Sequence, residues 1–165
     1  MENEKENEEE YDLKLEYNII KEKFKLPIYS EMAQDFDIEK LNEKESDFLL
    51  REIRRAIGEK LAGYMHFFEI LINPSSSPPL FLFSVLKSID KQTRDKVSLI
   101  YKILSKFQIE SMKLDTIYSE ENEAKYVKEI FIEWQKQKKE IYKIIEKFKE
   151  NLDENLEERK GGYFG

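Results

Sequence analysis

One histidine, five arginines and no cysteine bound the chemistry open to this 165-residue chain. Without cysteine there is no disulfide, thiolate zinc site, iron–sulfur cluster or cysteine nucleophile. On a helix, His66 falls on one line with Glu59 and Glu52, but a step of seven residues is ~10.5 Å, so the three cannot share one ion. A di-iron bundle needs Glu-x-x-His on two helices, which one histidine cannot supply. His66 is therefore expected at the surface or at a bundle edge. Neither GxGxxG nor GxxxxGK[ST] occurs, and Gly58 and Gly63 are isolated within helical sequence, where they suit close helix packing or a slight kink. No nucleophile elbow is present. The sequence assigns no catalytic, metal or cofactor-binding residue, and the expectation is a protein that is not an enzyme and carries no cofactor.

What remains is charge that could meet a partner. Arg51, Arg54 and Arg55 are three of the five arginines, and guanidinium groups suit bidentate contacts to phosphate or carboxylate. Glu45, Asp47, Glu52 and Glu59 lie near enough to pair with them along a helix. In the last helical stretch, 125–149 holds eight lysines and four glutamates, a net +4. Lys136, Lys139, Lys143 and Lys147 are its candidates for phosphate, although interleaved glutamates are also how a solvated face looks. Lys60 stands between Ile57 and Tyr64 in an apolar register, and Asp115 stands likewise on its own helix. A buried charge must be paired or neutralised. Either Lys60–Asp115 or Arg54–Asp115 pairs inside the bundle, or Lys60 snorkels to water and Asp115 lies past the helix end.

The elements that position these residues are read from periodicity. In 11–26, Leu13, Tyr17, Ile20 and Phe24 follow helical spacing, and Pro27 ends the run. Residues 28–41 suit short helical turns, with Asp37 a cap. Asn42 with Glu45 resembles a capping box, which opens a central helix at about 42–72. Its histidine and most of its arginines are expected to face away from the apolar side. The stretch 73–79, NPSSSPP, is a break, with Ser77 able to cap a short apolar helix at 80–89. A bend or fresh cap at 90–93 precedes a helix at 94–114, and Ser119 caps the last one. Its stripe is Val127, Ile130, Phe131, Trp134, Ile141, Ile145, Phe148 and Leu152. The predicted fold is all-α: a helical bundle of four to five helices around the 42–72 helix. It is one domain, 11–155, with a disordered acidic tail at 1–10 and a flexible tail at 156–165.

Charged residues are 38% of the chain, against ~25% in ordinary domains. The Glu and Lys bias occurs in hyperthermophile proteins. Residues 1–10 carry −5 and residues 150–165 carry −3, which leaves 11–149 at +1. No apolar run approaches the ~20 residues of a membrane span, and the N-terminus is unlike a signal peptide. A cytoplasmic protein, or a nuclear one if eukaryotic, is expected. The leading functional expectation is a helical interaction or assembly module that binds a protein partner or self-associates. The alternative is a small nucleic-acid-associated protein using the Lys-rich last helix, and the third is an unusual enzyme with a polar pocket near Lys60 and Asp115.

Overall fold

The structure, a computed structural model, describes residues 11–43 and 46–161. Among them are six α-helices and no strand: α1 (Leu13–Phe24), α2 (Tyr29–Phe36), α3 (Leu49–Ile72), α4 (Pro79–Ser88), α5 (Lys91–Thr116) and α6 (Glu120–Gly161). The architecture is an all-α bundle. The acidic stretch 1–10, Glu45 and residues 162–165 lie outside the described residues.

The first helix starts at Asp12, whose carboxylate accepts the backbone N–H groups of Lys14 at 2.9 Å and Leu15 at 3.2 Å. The Asn42 side chain accepts that of Leu13 at 3.1 Å. Three of the four amides that a helix start leaves unpaired are thereby satisfied. Leu13 and Tyr17 are buried while Leu15 and Ile19 face water, as the helical spacing requires. The Tyr17 hydroxyl donates to the Pro27 carbonyl at 2.7 Å and ties α1 to the turn that follows it. Both α1 and α2 end on a left-handed residue, Lys25 and Asp37, each at φ 55°.

Asn42 does not begin the central helix. Its side chain serves α1, and residues Ile38–Glu43 wind as a 3-10 turn, so α3 starts seven residues later at Leu49. Ser77 does not cap α4 either. Pro78 holds the cap position, Pro79 opens the helix, and the Ser77 hydroxyl is buried with no hydrogen-bond partner among the described residues. The locally encoded caps form at Asp90, which accepts the Thr93 amide at 2.7 Å, and at Ser119, which accepts that of Asn122. The last helix runs past the expected limit near 155 to Gly161. Residues 150–160 are mostly Glu, Leu, Arg and Lys, all strong helix formers, with no proline or glycine before 161.

Three helices make the core. Ile53, Ile57, Leu61 and Phe68 of α3 meet Val97, Ile100 and Leu104 of α5 and Val127, Ile130, Trp134, Ile141 and Ile144 of α6. Each such side chain contributes ~1.5–3 kcal/mol by leaving water. The α1–α2 segment closes one flank through Leu13, Tyr17, Met32 and Phe36, with Phe36 against Trp134 at 5.8 Å. α4 lies against α6 through Val85 and Phe81, the latter 5.1 Å from Phe148.

Candidate functional site

Three polar residues stand where core registers ask for apolar ones: Arg54 on α3, Ser111 on α5 and Glu123 on α6. They meet. The Arg54 guanidinium, 1% exposed, donates from Nε to Glu123 at 2.6 Å. One terminal nitrogen donates to the Ser111 hydroxyl at 2.6 Å and to its carbonyl at 3.0 Å. The other donates to Asp115 at 2.6 Å. Burial acts to lower the Arg54 pKa, but the bonds from Asp115 and Glu123 outweigh it, so the cation is stabilised. The same bond holds the Asp115 carboxyl below its usual range. Beside the cluster, burial pushes the Tyr126 hydroxyl up to about 12.

The other two arginines surround this centre. The Arg51 guanidinium lies over the rings of Tyr118 at 4.7 Å and Phe48 at 5.5 Å, a cation–π arrangement. Its Nε is 3.8 Å from Glu123, too far for a hydrogen bond. Arg55 is half exposed and reaches Glu52 at 3.2 Å and Asp115 at 3.9 Å. So most of the arginines do not face away from the apolar side; only Arg55 does. Arg54 follows Leu50 by four residues and precedes Ile57 by three, which turns it inward. All three make contacts within the chain, and of them Arg54 is buried while Arg55 stays half exposed. Glu123, absent from the sequence-derived candidates, stands four residues before Val127 and seven before Ile130, and that spacing places it on the core-facing side of α6.

Lys60 and Asp115 are not brought together. Lys60, its side chain 34% exposed, donates to Asp37 at 2.6 Å across the α2–α3 boundary. That bond raises the Lys60 pKa and lowers that of Asp37. His66 is exposed. Gly58 and Gly63 do not mark a close helix approach, since nothing lies within 4 Å of a Cβ at either position.

Of the four α6 lysines, Lys147 bonds to Asp90 at 2.8 Å and to Thr93 at 3.1 Å, fastening α6 to the start of α5. Lys136 pairs with Glu133 at 3.2 Å and Lys143 stands 4.0 Å from Glu140. Lys139 is exposed and has no ion-pair partner among the described residues. Lys139 and Lys143 also border an open groove between α3 and α6. The groove has a chamber of about 570 Å³ lined by Tyr64, Trp134, Ile141, Tyr142 and Ile145. It continues into one of about 380 Å³ beside Lys60, Gly63 and Phe67. No sequence signal joined these residues, because they are nearly seventy positions apart or more across the two helices.

The second apolar surface is the outer side of α4. This helix buries Ser84, Val85 and Ser88 while Leu80, Phe83 and Leu86 are 60%, 56% and 55% exposed. The Ser88 hydroxyl is satisfied by the Ser84 carbonyl at 2.6 Å. An apolar helix that turns serines inward and leucines outward has the reverse of the usual globular pattern.

Among the described residues no helix is long and apolar enough to cross a membrane. Comparison with protein-family models, with curated proteins and with solved structures finds no match. The class that the fold and these surfaces define is an all-α bundle with an internal Arg–carboxylate centre and two solvent-facing apolar surfaces.

Proposed function

We propose that this chain is a non-enzymatic helical interaction module that assembles through α4. The observation that carries this is the reversed polarity of α4, with Leu80, Phe83 and Leu86 outward over buried Ser84 and Ser88. Apolar side chains clustered on one face mark an association surface, whereas scattered ones do not. Exposed Lys87 lies four residues from Phe83 at the edge of this face, and the three uncharged side chains would form the centre of a two-fold contact with a second copy. The separation of Lys60 and Asp115 into different ion pairs also favours a non-enzymatic role.

Light scattering after size exclusion, over a hundredfold range of concentration, tests the proposal. The mass should approach twice 19.9 kDa at the upper end, and Phe83→Asp should hold it at one chain. A monomer at every concentration would refute assembly through α4.

A second reading, association with nucleic acid through α6, is favoured by one observation: the exposed Lys139 with no carboxylate partner among the described residues. Phosphate contacts make affinity fall steeply with salt. Binding to DNA or RNA that is absent, or indifferent to salt, ends this reading.

A further inference from the structure

The α3–α6 groove is a second binding surface, distinct from the α4 face. Its walls are aromatic and aliphatic, from Tyr64 and Phe67 on one side to Trp134, Ile141, Tyr142 and Ile145 on the other. Every charged side chain lining it is a lysine: Lys60, Lys138, Lys139 and Lys143. The chain as a whole has 35 acidic residues against 28 basic ones, so this rim runs against the overall charge. Lys60 and Lys138 are held by Asp37 and Asp35 at 2.6 and 3.2 Å, whereas Lys139 has no ion-pair partner among the described residues and Lys143 stands 4.0 Å from Glu140. Positions 134 to 145 on α6 span ~16 Å, the length of about three helical turns.

We propose that this groove docks an acidic amphipathic helix of a protein partner, its apolar anchors between α3 and α6 and its carboxylates on Lys139 and Lys143. A helix laid in an apolar groove is a recurring mode of recognition, and complementary charge sets its direction and partner choice. A nucleic acid suits the groove less well. Trp134 is buried and Tyr142 is the ring that stands open, so successive bases lack stacking platforms. A second copy would bring lysine against lysine.

Trp134, the single tryptophan, lines the groove and reports on it directly. The full chain is titrated with a synthetic helical peptide carrying Leu and Phe anchors at i, i+3 and i+7 and a glutamate face. Peptide anisotropy and Trp134 emission are followed together. The same peptide with lysine in place of glutamate, and a single-stranded oligonucleotide, are run alongside. The acidic peptide should bind with a shift in Trp134 emission, and the lysine version should bind at least tenfold more weakly. Gly63→Met adds a side chain at a groove-lining position where nothing lies within 4 Å of the Cβ, and should abolish binding while raising helix content. Lys139→Gln with Lys143→Gln should weaken binding roughly fivefold. No binding at about 1 mM peptide, equal affinity for both peptides, or undiminished binding by Gly63→Met would each overturn the proposal. So would tighter binding of the oligonucleotide, or a Trp134 shift on raising protein concentration alone. Phe83→Asp should leave peptide binding intact, so failure at the groove and failure of α4 assembly are read separately.

Discussion

The two halves of α3 treat an inward-facing cation in opposite ways. In the first half Arg54 is sealed: four hydrogen bonds reach two carboxylates and a serine on two other helices, and the guanidinium is buried. At the midpoint, where the second half begins, Lys60 reaches one carboxylate at the protein's edge and stays one-third exposed, next to a groove that no part of the described chain covers. The planar guanidinium can satisfy several fixed acceptors at once, whereas an ammonium on a flexible stem finds one and keeps its hydration. The closed half fixes how α3, α5 and α6 meet. The open half leaves apolar surface for another molecule.

Removing Arg54 should break that contrast most. Arg54→Ala strands Glu123, which is 0% exposed, and should cost about 3–5 kcal/mol in denaturant unfolding. Replacing both partners, Arg54→Met with Glu123→Leu, should recover most of the loss, because no unpaired buried charge is left. A double variant as unstable as the single one would show that the centre acts through its geometry and not through charge burial.

Asp115 sits at the mouth of the sealed half, and Asp115→Asn should cost about 1 kcal/mol at pH 7. Its carboxyl is held low in the folded state, so the native protein binds that proton more weakly than the unfolded chain does. The stabilisation is complete above the unfolded value near ~3.9 and is lost as pH falls below it. Thermal melts at pH 7 and pH 3 should therefore show wild type and variant converging in acid. A constant gap would mean that Asp115 contributes by packing.

Lys60→Met should change stability least, by about 0.5 kcal/mol or less, since a partly exposed pair is screened by water. A loss approaching that of Arg54→Ala would erase the difference between the halves.

The helical class, the break at 73–79, the caps at Asp90 and Ser119 and the inward faces of α5 and α6 were all legible in the chain. Each depends on neighbours within about four positions, where spacing and capping chemistry act directly. Val97, Ile100, Leu104, Ser111 and Leu114 illustrate this, as all are buried in one stripe of α5. Asn42 shows where local logic fails. It carries good capping chemistry but satisfies an amide 29 positions away, and α3 starts without a side-chain cap.

By itself, then, the sequence determined that the chain is all-α, where most helices lie and that it has no cysteine chemistry. Only the tertiary structure decided that Arg54 takes Asp115 and Glu123 while Lys60 takes Asp37, because partners 23 to 69 positions apart are chosen by how helices pack. It also decided that Tyr64 and Trp134 share one open groove, and that α4 turns its leucines to water. A residue's own periodicity says which face of its helix it occupies; whether another helix covers that face depends on the path of the whole chain.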